Sequence, residues 1–230
     1  MAVTYTPDEA FDYAKTMIKG MRLQDVKYQI LDEACSRLWN AKAWSWTVGY
    51  LSTTTVQPST VTYGVSYPND FSTLYKAILY DSDKIYKPLY IDPELPEDPQ
   101  RVGQLISVAA IPGESYLRVY PQPPATLPTN AQYVITFYKK SPPKITSSNS
   151  GTACLVMDDR WFHVYKSAVL INAYKYADDA RGFDITTDDK RNVKMGGELA
   201  NYEYLVKEMA ACETFPYEWD VYAEASGETR

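Results

Sequence analysis

Apolar residues recur at three- and four-residue steps towards both ends of the chain and give way to short β-branched and aromatic runs in the middle. These two periodicities separate amphipathic helices from strands. Phe11, Ala14, Met17, Ile18 and Met21 make the first helical stripe, with Gly20 as an end or kink. Thr6-Pro7-Asp8-Glu9 marks its start: a capping Thr, Pro at the first helical position, and a Glu whose carboxylate reaches back to the cap N–H. A second stripe of Val26, Ile30, Ala34, Leu38 and Ala41 follows, with Gln29, Asp32, Glu33, Arg37 and Asn40 largely outside it.

From Trp44 the pattern predicts strands: Trp44-Ser45-Trp46-Thr47-Val48, then 53–56, then 60–65 after the breaker Pro58. Two apolar runs, 74–80 and 85–91, flank the polar turn Asp81-Ser82-Asp83-Lys84 and predict a hairpin. Runs 105–111 and 116–120 bracket Pro112-Gly113-Glu114-Ser115, and a further run, 131–138, follows a Pro-rich loop. The acidic, Pro-broken stretch 92–99 reads as a surface excursion, and 141–151 as a linker or long loop.

Beyond it, Asp158-Asp159 precedes Trp161, Phe162, Val164, Tyr165, Ala168, Val169, Ile171 and Ala173, an apolar arc wide enough to predict a helix packed on two sides. Thr186 or Thr187 is the expected cap of the last helix, whose stripe is Met195, Leu199, Tyr202, Val206 and Met209. Gly196-Gly197 inside that pattern predicts a kink or a close backbone approach, since each Gly costs roughly 1 kcal/mol against Ala. A single β block between helical pairs favours an α+β fold over a doubly wound sheet. The expected architecture is a helical bundle formed by N- and C-terminal helices with an inserted antiparallel β-rich domain. Its parts are 1–43 and 151–213 for the helices, 44–150 for the insert and 214–230 for an extended tail.

Composition narrows the function. The net charge of -6 and the lack of a Lys/Arg cluster disfavour a surface that grips nucleic acid. No apolar run approaches the roughly 20 residues needed to cross a bilayer, and residues 1–12 show neither a basic cluster nor an apolar signal core, so no membrane partner or targeting segment is expected. Cys35, Cys154 and Cys212, outside any CxxC spacing and among apolar neighbours, read as buried thiols. The excess of 21 Tyr over 6 Phe is unusual. Tyr joins a large ring to a hydroxyl, which suits surfaces that meet other chains or sugars.

Chemistry finds little footing. His163, the sole histidine, stands in an apolar helix start with no nucleophile motif and reads as a packed structural residue. Asp158-Asp159, Asp178-Asp179 and Asp188-Asp189 offer carboxylates, but the first and last stand at expected helix starts and the second at a helix end, where capping explains them. No phosphate-cradling, zinc or nucleophile-elbow motif occurs, so no catalytic residue, metal ligand or cofactor is expected. Trp39, Trp44 and Trp46 are a sugar-stacking platform or, more simply, packing at a helix–strand junction. In the tail, Phe215, Tyr217 and Trp219 alternate with Pro216 and Glu218, and Tyr222 follows, so an extended segment places large rings on one side. These four are the candidate protein-interface residues, either covering their own domain or docking on a neighbour.

Three stretches carry a family resemblance. Trp44-Ser45-Trp46 is followed by Thr-rich runs and by Tyr67-Pro68-Asn69-Asp70-Phe71-Ser72-Thr73-Leu74 before Lys76-Ala77-Ile78. Lys87-Pro88-Leu89 leads to Ile111-Pro112-Gly113 and Tyr116-Leu117-Arg118-Val119-Tyr120-Pro121-Gln122-Pro123-Pro124. Residues 133–138 with Lys139-Lys140-Ser141-Pro142-Pro143 precede a helix containing 168–176. In this order the chain, over 6–212, resembles the head-to-tail adaptor (connector, neck) proteins of tailed bacteriophages. The resemblance implies a structural virion protein, assembled in the host cytoplasm and located in the neck between head and tail. Copies would form a homo-oligomeric ring, typically dodecameric, that binds the portal protein, extends the DNA exit channel and offers a platform to a tail or nozzle protein. DNA would pass without sequence-specific binding, and no residue would be catalytic. The competing reading is a carbohydrate- or receptor-binding module of a phage tail, favoured by the Tyr and Trp content but not by the long helices.

Overall fold

The computed structural model describes residues 4–18, 23–56, 59, 62–81, 86–91, 101–111, 113–126, 132–153, 155–182, 185–187 and 193–213. The chain is α+β and divides into two compact units: Met1–Trp46 with Pro142–Phe215, and a second built on Thr47–Ser141.

In the first unit, α1 (Pro7–Met17) opens with the expected capping box. Glu9 N–H donates to Thr6 Oγ1 at 3.4 Å and Thr6 N–H to Glu9 Oε2 at 2.8 Å. A short 3₁₀ turn, Leu23–Val26, precedes α2 (Lys27–Ala41), which buries Ile30, Leu31, Ala34, Cys35, Leu38 and Trp39. The third helix, α3 (Phe162–Tyr176), is apolar around most of its circumference, which is why its pattern showed a broad arc rather than a stripe. It packs against α1 and α2 and against α4 (Gly197–Glu213). Phe11, Ile30, Leu31, Tyr165, Ile171 and Met209, one or more from each helix, belong to one hydrophobic core. Two buried polar groups of α3 close onto carbonyls of α2: Tyr165 Oη on Leu31 O at 3.2 Å and Asn172 Nδ2 on Ile30 O at 3.3 Å.

Several expectations for this unit are corrected. Trp44 to Trp46 do not begin a strand: a 3₁₀ turn, Ser45–Thr47, stands there, because Trp44 is fully buried and its indole N–H donates to Leu38 O at 2.7 Å. Trp39 meets Trp46 edge-on at 4.9 Å between ring centroids, and Trp44 stacks parallel to Trp46 at 6.1 Å. The three rings are packing, not an open sugar platform. Of the two readings of 141–151, linker or long loop, the structure shows a loop, and it is packed: Ile145 is buried, its N–H donates to Asp32 Oδ1 at 2.9 Å, and Ser150 O accepts from Asp8 N–H at 3.1 Å. The last helix starts later than expected. Ile185–Thr187 and Val193–Met195 pair antiparallel as a two-stranded sheet, since β-branched Ile185, Thr186, Thr187 and Val193 favour an extended backbone. Gly196 and Gly197 therefore stand at the helix start instead of inside it: Gly196 O accepts from Ala200 N–H, and Gly197 has φ of +63°, a left-handed value that Gly adopts without strain.

The second unit is a seven-stranded sheet. Its strands are β1 (Val48–Thr55), β2 (Thr62–Ser66), β3 (Phe71–Asp81), β4 (Tyr86–Ile91), β5 (Ser107–Ala109), β6 (Tyr116–Tyr120) and β7 (Gln132–Lys140), ordered β1-β7-β3-β4-β5-β6-β2. The edge strands β1 and β2 approach one another, so the sheet curls. The β3–β4 hairpin forms with Ala77 opposite Leu89, and β5 pairs with β6 through Val108 and Val119. The insert is not antiparallel throughout: β4 and β5 run parallel, Tyr90 opposite Ser107. Connection 92–106 is long enough for the crossover that parallel strands require. Residues 92–99, expected as a surface excursion, lie outside the described residues.

One sheet face carries the core. Leu51, Ala77, Leu79, Leu89, Val134 and Tyr138 point to it, in register across β1, β7, β3 and β4. Gly49 lies opposite Tyr138, and a Cβ there would stand 2.2 Å from Tyr138 Cζ. The glycine is thus the floor on which the Tyr138 ring lies, with Tyr138 Oη donating to Asp70 Oδ1 at 3.0 Å.

Candidate protein-interaction surfaces

The interface residues expected from sequence, Phe215, Tyr217, Trp219 and Tyr222, lie outside the described residues, as do Asp188, Asp189 and Cys154. The described surface nonetheless bears out a Tyr-rich exterior. Tyr5, Tyr13, Tyr28, Tyr50, Tyr90 and Tyr204 are all exposed, Tyr90 at 70%.

On the helical unit, α1 presents Glu9, Tyr13 and Met17 at four-residue steps, away from its buried residues Ala10, Phe11 and Ala14, and Tyr5 precedes its cap. Met17, expected inside, is 43% exposed on this outer stripe. Tyr5 and, from this stripe, Glu9 and Tyr13 form a shallow groove with Asp159 and with Phe162, His163 and Lys166 of α3. Tyr5 stacks on Phe162 at 4.5 Å with an interplanar angle of 3°, and Lys166 Nζ lies 5.1 Å from the Tyr13 ring centroid and 5.6 Å from that of Phe162. The lysine thus presents its charge beside two aromatic rings, a cation–π geometry. His163, expected as a packed residue, is exposed here. Leu and Ile anchors alone could not have shown this groove; its sequence signal is Tyr5 and Tyr13, spaced eight residues apart outside the apolar stripe.

A second groove is lined by Ser45, Trp46, Val156, Met157, Asp158, Arg160 and Glu213. Glu213 ends α4 and is held there by three donors: Trp161 Nε1 at 3.1 Å, Ser45 Oγ at 3.4 Å and the Arg160 guanidinium.

On the β unit, the sheet face opposite the core carries Tyr50 and Phe137, 5.7 Å apart between centroids, with Ile78, Ile135, Lys76 and Tyr80 in register beside them. Near the strand ends, Tyr67 stacks on Phe71 at 4.1 Å, and burial together with the Glu114 charge pushes its hydroxyl up to about 12. Tyr138 is likewise raised to about 12 by burial and by its bond to Asp70. Both phenols stay neutral donors at any physiological pH.

Of the described carboxylates in these pairs, Asp158 behaves as a cap, whereas Asp159 ties down the start of the chain and Asp179 binds Arg181. Asp158 accepts from Arg160 N–H at 3.0 Å at the start of the turn before α3. Asp159 accepts from Thr4 N–H at 3.0 Å, and these bonds lower its pKa. Asp179 is chelated by the Arg181 guanidinium, at 2.6 Å from Nη2, which holds it below the usual carboxylate range. Among the described residues no three His, Cys, Asp or Glu side chains come together as a metal site. Cys35 is buried as expected, whereas Cys212, on α4, is exposed. No helix of the described residues is long and apolar enough to cross a membrane. No known family model matches the chain, and no curated protein matches it.

Proposed function

We propose that this chain is a head-to-tail adaptor of a tailed bacteriophage, a ring-forming structural protein that binds the portal and extends the DNA exit channel. The observation that carries the reading is the single core shared by α1, α2, α3 and α4, whose residues come from both flanks of the β block. That arrangement suits an anchoring helical bundle with an inserted β-rich domain that projects towards the tail. The segments behind the resemblance also stand at strand ends: Phe71 opens β3, Tyr120 closes β6, and Lys140 closes β7. Exposed tyrosines on both units suit a protein that must touch copies of itself, the portal and a tail component. The burial of Trp39 and Trp44 removes two of the aromatic rings that would favour the tail-module alternative.

The test is the mass of the purified protein alone and after mixing with assembled portal rings. An adaptor assembles on the portal as a closed ring, seen as a discrete increase in particle mass that matches a whole number of copies. No association with portal, together with binding to glycans by an unassembled chain, would overturn the reading.

A further inference from the structure

In the open groove between α1 and the start of α3, Lys166 is a cation held by rings and by no carboxylate. Its Nζ lies 5.1 Å from the Tyr13 centroid and 5.6 Å from that of Phe162, and among the described residues it forms no ion pair. Two carboxylates line the same groove and are fixed by backbone donors. Glu9 Oε2 accepts from Thr6 N–H at 2.8 Å, and Asp159 Oδ1 accepts from Thr4 N–H at 3.0 Å. Glu9 Oε1 accepts no bond among the described residues, and the side chain is exposed. With His163 neutral, Glu9 and Asp159 against Lys166 leave the groove with negative charge in excess, on a chain whose net charge is -6. Tyr5 lies flat on Phe162 and is still 43% exposed, and Tyr13 is 40% exposed, so ring surface stays open beside the carboxylates.

Exposed rings beside pre-positioned carboxylates are the chemistry of a cation receptor. The ring quadrupole attracts a positive charge, and a planar guanidinium can stack on a ring while it donates to a carboxylate. We propose that this groove receives an arginine side chain from a basic segment of a partner protein, which displaces Lys166 from the rings and donates to Glu9. Charge selects this occupant. An acidic segment would meet the excess negative charge of the groove, and a second copy would bring a net charge of -6 to a surface of the same sign. The proposal stands independently of the adaptor reading, because it needs neither a ring nor a portal.

The probe is a short end-blocked peptide of alternating arginine and glycine, titrated into the isotope-labelled full chain at about 0.15 M salt and followed by NMR amide shifts. Saturable shifts confined to residues 5–17 and 159–166 are expected, and none from a peptide with glutamate in place of arginine. Glu9→Gln keeps an acceptor for the cap bond and removes the charge, and Tyr13→Leu removes an aromatic face; each should weaken binding about threefold. Lys166→Gln removes the competing cation, so the arginine peptide should bind about threefold more tightly. That gain is a result that misfolding cannot imitate, and equal or weaker binding to Lys166→Gln overturns the proposal. Shifts spread over the whole surface would mean unspecific attraction to an acidic protein, and would overturn it too. So would binding of the glutamate peptide at the same amides, which assigns the groove to an acidic partner. Shifts of these amides on raising the protein concentration alone would assign it to a second copy, with the same consequence.

Discussion

Gly49 and Tyr138 show how one residue without a side chain lets a neighbour do two things. The Tyr138 ring lies where a Cβ on Gly49 would be, its body belongs to the sheet core, and its hydroxyl reaches Asp70. Gly49→Ala pushes a methyl carbon to 2.2 Å from Tyr138 Cζ, a distance no contact tolerates, so the ring must leave its place. The expected loss is about 1–3 kcal/mol, the range for overpacking a filled site. Chemical denaturation of Gly49→Ala, Tyr138→Leu and the double variant measures it, with the double variant losing clearly less than the sum of the singles. Additive losses would mean that the ring and the glycine are not coupled.

At the scale of elements, α2 and α3 are joined by a core and also by one carboxylate. Glu33 accepts from Tyr176 Oη at 2.6 Å and from Lys175 Nζ at 3.2 Å. Burial works against its ionised form, but these bonds outweigh that and hold Glu33 below its ordinary value of 4.5. A carboxylate depressed in the folded state adds stability above its unfolded pKa and loses it as pH falls through the folded value. Acidification below about 4.5 therefore weakens the α2–α3 link, and Glu33→Gln should lose less stability than the parent between pH 6 and pH 3. The side chain is about one-third exposed, so screening keeps the difference under ~1 kcal/mol. Urea midpoints at the two pH values check it; parallel losses in both proteins would remove Glu33 from the account.

The helices were the legible elements, because a capping box and a 3.6-residue stripe are local signals: Thr6 and Glu9 fixed the start of α1, and Ile30, Ala34 and Leu38 the inner face of α2. The β3–β4 hairpin was legible for the same reason, two runs around a polar turn. The start of α4 was not. Ile185, Thr186 and Thr187 resemble a cap preceding a helix until a partner strand, Val193–Met195, is available to pair with them, and pairing is a tertiary fact. The parallel β4–β5 contact and the burial of Trp44 are also decided by chain segments distant in sequence. Of the candidate interface, the abundance of Tyr was legible, whereas the groove at Glu213 was not, since it depends on Trp46 and Val156 meeting the end of α4.

For the whole molecule, charge decides how a channel protein would treat DNA. The chain has 23 basic and 29 acidic side chains, a net charge of -6. Among the described residues, Lys27, Arg118, Arg160, Lys175 and Arg181 are each paired with a carboxylate, which leaves those cations little attraction to spare for phosphate. Phosphate binding draws its free energy from counterions released by clustered Lys and Arg, and these five cations, already held by carboxylates, add little to that release. If copies form the proposed ring, a duplex passing through it would meet net repulsion at long range, a condition that favours sliding over holding. Fluorescence anisotropy of a labelled duplex titrated with the protein at about 0.15 M salt should therefore stay flat to concentrations of order 10 μM, tighter than the weak end of ordinary non-specific DNA binding. Lowering the salt should produce at most weak association. Saturable binding in the low micromolar range at the higher salt would show a basic surface able to grip DNA, and would remove the argument that this chain lets DNA pass unheld.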